Sequence, residues 1–338
     1  MSQLHSEESS ILDPQSAQVH FTQRPIAWLS AFWKFARPHT IVGTSLSVLA
    51  LFLIALAETH AISFTSDLVS DSLLLVPALV ACLCGNVYIV GLNQLEDVEI
   101  DRINKPHLPL ASGEFSRRQA QVIVATAGSL ALLISAWQGI FLMATVWLSV
   151  AIGTAYSLPP IRLKRFPIWA SLCIFSVRGA IVNLGLYLHF NQKMTPLDQN
   201  LPTSLLTIPA TVWALTLFIL VFTFAIAIFK DIPDLEGDRR YHITTFTVQL
   251  GQQTVFSVAR WVLTVCYVGM IIGAALITQI HAPFLIATHL AALVVLWGLS
   301  WRVDLQEKVS IAQFYQFIWK LFFLEYLLFP IACLLAQP

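Results

Sequence analysis

Two stretches of this chain are too long and too apolar for a soluble fold. Residues 73–92 and 207–229 carry no charged side chain at all. A helix of about 20 apolar residues crosses the roughly 30 Å hydrocarbon layer of a bilayer. Each stretch then ends abruptly in acid. The first runs into Asn93-Gln94-Leu95-Glu96-Asp97-Val98-Glu99-Ile100-Asp101, the second into Lys230-Asp231-Ile232-Pro233-Asp234-Leu235-Glu236-Gly237-Asp238. A carboxylate within a span costs about 2.5–3.5 kcal/mol on insertion scales. These aspartates must therefore line a wet cavity or the membrane boundary, with something cationic to hold them.

Composition agrees. The 338 residues are 57% hydrophobic and 11% charged, with a mean hydropathy of +0.73, against about 25% charged in a soluble domain. The class is an all-α polytopic membrane protein. Nine spans are expected, at about 27–57, 72–97, 119–137, 140–157, 167–190, 207–230, 255–278, 283–300 and 312–335. Residues 1–24 are polar and aperiodic and read as a disordered tail, leaving 25–338 as the membrane domain. The tail has neither the Arg- and Ser-rich character of a plastid transit peptide nor the early apolar core of a secretory signal. No basic patch interleaved with aromatics suggests nucleic acid. All five cysteines lie in apolar runs at spacings that suit neither zinc nor a redox pair.

Nine spans put 16 of the 19 Lys and Arg on one side of the membrane, with Arg178 and Lys320 inside spans and only Lys193 opposite. This asymmetry predicts a cytoplasmic N-terminus and both acidic segments on the cytoplasmic face. The acids also mark an internal repeat. Asp97 and Asp234 follow spans 2 and 6, and each has another Asp four residues later (Asp101, Asp238). Four helices separate the copies, so the halves are two parallel four-helix repeats plus a final helix. Inverted repeats, frequent in transporters, are not expected.

On one helix Asn93, Asp97 and Asp101 form a stripe about 12 Å long. That is too long for one metal ion, but it suits oxygen ligands facing a diphosphate through hard cations such as magnesium. Asn93, Asp97, Asp101, Asp231, Asp234 and Asp238 are the candidate metal ligands, and Asp97, Asp101, Asp234 and Asp238 the candidate catalytic set. Glu99 and Glu236 point away from these stripes. Metal-assisted loss of diphosphate is the chemistry such a site offers. Arg102, Lys105, Lys164, Arg165, Arg239 and Arg240 are candidates to steady its remaining oxygens, with Arg37 at the start of span 1. Arg178 lies about eleven residues into span 5, roughly 16 Å along the helix. An acidic or phosphorylated partner is expected for it, with the diphosphate preferred. Lys320 and Glu325 in the last span carry the same argument or pair with each other. A transporter, or a factor that merely binds a prenylated pigment, is the non-enzymatic alternative.

These residues carry a resemblance to the UbiA-type intramembrane prenyltransferases over nearly everything after residue 30. Both diagnostic motifs are present, Asn93-x-x-x-Asp97-x-x-x-Asp101 and the Asp231/Asp234/Asp238 cluster. Finer likeness lies in Ala36-Arg37-Pro38-His39-Thr40-Ile41, Asn104-Lys105-Pro106 and Tyr156-Ser157-Leu158-Pro159-Pro160-Ile161-Arg162-Leu163-Lys164-Arg165-Phe166, and in Phe314 to Phe323. The resemblance implies nine helices in a ring around a central cavity open sideways to lipid, capped by the loops after spans 2 and 6. It implies two magnesium ions bridging a prenyl diphosphate, and an aromatic acceptor as second substrate. Within the family it is similar to members that transfer phytyl from phytyl diphosphate to homogentisate with decarboxylation, giving 2-methyl-6-phytylbenzoquinol of tocopherol synthesis. Use of solanesyl or geranylgeranyl diphosphate, or of another aromatic acceptor, is the alternative. The short tail points to a cyanobacterial-type chain in a plasma or thylakoid membrane.

Overall fold

The computed structural model describes residues 18–59, 68–195, 207–241 and 244–337, and the side chains of these except 68–72. The expected tail lies outside the described residues up to position 17. Residues 18–24 rest against the start of a later helix, where Gln119 Nε2 donates to the Val19 carbonyl at 3.0 Å and the Val19 N–H donates to the Glu114 carbonyl at 2.9 Å.

Among the described residues nine helices are long and apolar enough to cross a membrane, and no strand occurs. The first expected span breaks in two. Helix α1 (Pro25–Phe35) is only 11 residues long, about 16 Å, and cannot cross. It ends at Ala36, the chain turns at Arg37 with φ 55°, and α2 (Pro38–Glu58) starts the true span. Pro38 suits that first position because its missing N–H needs no partner there. Trp28, Phe32 and Phe35 seat α1 against Leu92, Leu95 and Phe115, while Trp33 and Ile26 stay exposed. A short helix with an outward aromatic and apolar face suits the bilayer interface.

Helix α3 (Leu68–Glu96) ends in the first acidic segment, and α4 (Val98–Asn104) continues after a break at Asp97. Helix α5 (Arg117–Gln138) opens on a reciprocal cap. Gln119 N–H donates to Ser116 Oγ, and Gln119 Oε1 accepts from the Ser116 N–H, which satisfies two otherwise orphaned donors. The turn to α6 (Ile140–Ser157) falls at Gly139, φ 117°, a conformation that glycine adopts without steric cost. The fifth span is composite: α7 (Pro167–Phe175), a π-helical turn Ser176–Ile181, then α8 (Val182–Met194). The second half continues with α9 (Ala210–Phe229), α10 (Leu235–Arg240), α11 (Phe246–Leu250), α12 (Gln252–Leu276), α13 (Ala282–Ser300) and α14 (Lys308–Leu334).

The spans close on themselves. Helix α2 packs on α3, α8 and α14, α14 on α13, α13 on α12, α12 on α9, and α9 on α7 and the π turn. The core between them is mainly apolar but also buries polar side chains such as Ser47, Ser135, Asn183, His189 and Thr216, and His289 Nε2 meets Glu325 Oε2 across it at 2.9 Å. Glu325 therefore pairs across to α13 and not along its own helix with Lys320, which is exposed.

Candidate active site

Helices α4 and α10 touch at one end of the ring, and this brings the two acidic segments together. Gly237 makes the join possible. A Cβ there would lie 2.3 Å from Asn104 Oδ1, which instead accepts the Gly237 N–H at 3.0 Å. Beside it Lys105 bridges to Asp234. The expectation that Asn93, Asp97 and Asp101 share one ideal helix needs revision; in the second set Pro233 and Gly237 already speak against ideal helix geometry. Asp97 has φ −113° and ψ 16°, although Asp97 N–H still donates to Asn93 and Asp101 N–H to Asp97. The first stripe is therefore nearly continuous. In the second, Asp231 and Pro233 lie in a turn and Asp234 immediately precedes α10 without a side-chain cap bond; Pro233, with no N–H to donate, cannot continue the preceding helix.

The acids sit among cations. Asp97 accepts from Arg162 Nη2 at 3.0 Å and from Lys164 Nζ at 2.6 Å, and from Asn93 Nδ2 at 3.1 Å. Arg37 Nη2 reaches Asn93 Oδ1 at 3.4 Å. Lys230 Nζ holds Asp231 at 2.9 Å. Asp101 is buried with one carboxylate oxygen, Oδ2, unpartnered. Burial pushes its carboxyl up to about 6, with Asp97 and Asp234 reinforcing and Arg37 and Lys105 opposing. Burial likewise pushes Asp238 up to about 7, reinforced by Asp234 and Asp231. Lys164 is pulled down by burial and held up by Asp97. The cap thus concentrates buried negative charge that its own lysines and arginines only partly relieve.

Arg37 and Arg162 are the two non-glycine residues with positive φ among those described, 55° and 41°. Such backbone costs of order 1–3 kcal/mol and persists where surrounding structure dictates it. Both aim guanidinium groups at the first acidic segment, so the strain falls where the charge is needed.

Beneath the cap opens a cavity of about 870 Å3, within the roughly 300–1,000 Å3 of small-molecule pockets. Asp97, Asp101, Asp231, Asp234, Asp238, Asn93, Arg37, Lys105 and Lys164 line its mouth. Its walls are mainly apolar or small, among them Val146, Val150, Val177, Ile226, Gly43 and Gly85, with Asn86, Tyr156, Tyr315 and Tyr326 interspersed. Arg178 lines it from the π turn. Five other sequence candidates lie apart from it. Arg102 pairs with Glu99 on the surface, Arg165, Arg239 and Arg240 are exposed, and so is Lys320. Arg162 and Lys230 take the places that Arg165 and Arg239 were expected to hold. The missed signal was the Pro159-Pro160 pair, after which the chain turns back and Arg162, not Arg165, faces Asp97. Glu236 points outward to Lys308.

A closed ring of membrane helices, with an acidic and basic cap over an apolar cavity, defines an integral multi-pass membrane enzyme. The chain belongs to the UbiA prenyltransferase family, whose family model matches residues 41–321. It is 52% identical over 309 residues to homogentisate phytyltransferase of Synechocystis sp., covering 91% of this chain and 96% of that one. It is 40% identical to the chloroplastic homogentisate phytyltransferase 1 of Arabidopsis thaliana, over 89% of this chain and 75% of that one. A solved UbiA homologue from Archaeoglobus fulgidus, bound to DMAPP and Mg2+, matches with a TM-score of 0.58 at 17% identity, covering 89% of this chain and 99% of that one. This last likeness is one of fold.

Proposed function

We propose that the chain transfers the phytyl group of phytyl diphosphate to homogentisate with loss of carbon dioxide, giving 2-methyl-6-phytylbenzoquinol. The observation that carries this reading is the junction of the two acidic segments, Asn104 on Gly237 and Lys105 on Asp234, over an apolar cavity. The 52% identity to a homogentisate phytyltransferase supports the substrate pair.

The donor set fits a hard divalent cation. Among the described residues no three His, Cys, Asp or Glu side chains already converge as a metal site. Lysine and arginine groups stand on the carboxylates in the positions cations would relieve, and the free Asp101 Oδ2 is a buried acceptor with nothing to accept. Asn93, Asp97, Asp101, Asp231, Asp234 and Asp238 would hold magnesium, two ions suiting a bridged diphosphate. Bound there, magnesium supplies charge neutralisation for the leaving diphosphate.

The chain's own part is to orient and exclude water. Lys105, Lys164, Lys230 and Arg162 move from carboxylate to phosphate oxygens, so the diphosphate enters a ready-made basic frame. Departure of diphosphate from the allylic carbon leaves a delocalised cation. The apolar wall below the cap keeps water from it, and the electron-rich acceptor ring attacks it instead. The same Lys and Arg asymmetry that orients the spans sets the cap and the N-terminus on the cytoplasmic side, in a cyanobacterial-type plasma or thylakoid membrane.

The test is incubation of membranes bearing the protein with labelled homogentisate and a panel of phytyl, geranylgeranyl and solanesyl diphosphates. The labelled phytylated quinol is the expected main product. A main product with solanesyl or geranylgeranyl reassigns the donor. No labelled lipid with any donor overturns the reading.

A further inference from the structure

Arg178 is a cation of the cavity that the diphosphate frame leaves unused. It sits on the π turn eleven residues beyond Pro167, about 16 Å from the cytoplasmic start of that span. Trp319, whose ring its guanidinium covers, is also eleven residues into its helix. Gly43, where an added Cβ would lie 3.2 Å from Arg178 Nη1, stands six residues past Arg37 on α2, about 9 Å deeper. By helix rise Arg178 thus starts from deeper in the membrane than Arg37, Lys105, Lys164, Lys230 and Arg162 of the cap, and Trp319, which it covers, reaches up to the His39 ring at 4.8 Å.

No ion pair or hydrogen bond holds Arg178 among the described residues. Its contacts are ring faces, Trp319 at 5.1 Å and Phe322 at 5.5 Å from the guanidinium carbon. A charge at this depth is costly without an anion. An unpaired cation here would also repel the allylic cation that forms just above it, in surroundings where water screens little. The site therefore calls for an anion present during the reaction and distinct from the diphosphate. Of the two substrates in the reaction proposed above, the acceptor is the one that brings such a group.

We infer that Arg178 holds the carboxylate of the arylacetate acceptor through the two parallel donors of its guanidinium, with Trp319 and Phe322 fixing the plane of that fork. The ring is then suspended between Arg178 below and the diphosphate carbon above. Arg178 accordingly selects an acidic acceptor over a neutral quinol of the same ring. This assignment rests on the homogentisate reading. It also moves Arg178 from the leaving group, which the sequence favoured, to the acceptor.

The experiment measures steady-state kinetics of wild type and Arg178→Gln with each substrate varied. Methylhydroquinone, the same ring with methyl in place of carboxymethyl, serves as a competitive inhibitor against homogentisate. The homogentisate KM should rise roughly ten- to a hundredfold, the range for losing a charge-assisted contact. The phytyl diphosphate KM and the methylhydroquinone inhibition constant should stay within about twofold of wild type. A rise in the donor KM, or equal weakening of homogentisate and methylhydroquinone, overturns the assignment. Should Arg178→Gln not fold, Gly43→Ala decides. Its new Cβ would stand 3.2 Å from Arg178 Nη1 and 3.4 Å from Phe323, which presses the fork off its line by a few tenths of an ångström without removing the charge. It should raise the homogentisate KM several-fold with the methylhydroquinone constant unchanged, and wild-type constants for both overturn the idea. Wild-type protein that forms no product from homogentisate with any donor overturns the functional reading itself, and this one with it.

Discussion

The two acidic segments match in sequence and differ in how their charge is managed. Asp97, in the first, is neutralised from outside its own segment by Arg162 and Lys164, 65 and 67 residues further along. In the second, Asp231 takes the adjacent Lys230, and Asp234 takes Lys105 from the first segment across 129 residues. The second half of the molecule thus borrows a cation from the first, and the first borrows nothing back. A repeat in sequence became a cap with one connected charge network. The coupling teaches that neither segment is a complete site. Changes in the first should disturb both, and changes in the second chiefly one.

The largest effects should fall on the acids themselves, where loss of a cation ligand outweighs the asymmetry of the surrounding charges. Asp97→Ala and Asp234→Ala should each lower turnover at least about 10²–10³-fold, as loss of a main electrostatic group at a reacting centre does. Both should still insert and extract as monodisperse protein, because neither side chain packs the core. Turnover assays alongside quantified membrane extracts provide the check, and near-wild-type turnover by either variant breaks the equivalence. Chelation by EDTA should likewise abolish activity and added magnesium restore it, since an all-oxygen donor set favours hard ions. Full activity in excess chelator would remove magnesium from the scheme.

Next come the cations, where asymmetry should appear. Lys105→Ala cuts the bridge between the segments and should reduce kcat/KM for the prenyl donor about tenfold or more. Lys164→Ala leaves Asp97 with Arg162 and should cost less, since each charge-assisted contact is worth about 1.5–3 kcal/mol only when nothing replaces it. Donor-varied kinetics on both variants sharpen the comparison, and a larger loss at Lys164 would reverse it. Gly237→Ala should push Asn104 away and cost about 1–3 kcal/mol of stability, read as a lowered melting temperature with a few-fold loss of activity. At the small end, Arg102→Ala and Arg239→Ala should change activity less than about twofold and stability within about 0.5 kcal/mol. Both groups face solvent, so a large defect in either would show that the cap closes further over substrate.

How much of this the chain announces by itself depends on what is local. Apolar length and the one-sided Lys and Arg counts concern single segments and their solvent. Lipid admits no unpaired backbone, so each long apolar run must be a helix. The spans after the first and the six polar residues at the ends of spans 2 and 6 were therefore legible from order alone. Contacts between distant segments were not. The first apolar run divides at Arg37 because α1 finds Leu92, Leu95 and Phe115 to lie against, partners that only the assembled ring brings near. Arg162 replaces Arg165 at Asp97 because the chain reverses after Pro159-Pro160, which sequence spacing along a helix does not reveal. Glu325 meets His289 on another helix while Lys320, close in sequence, faces outward. Arg178 is visibly anomalous in sequence, but its aromatic seat and its distance from the cap come from α2 and α14 packing around a π turn. Hydrophobicity acts residue by residue and can be read along a line; charge pairing is decided by distances between segments, which exist only once the helices have packed.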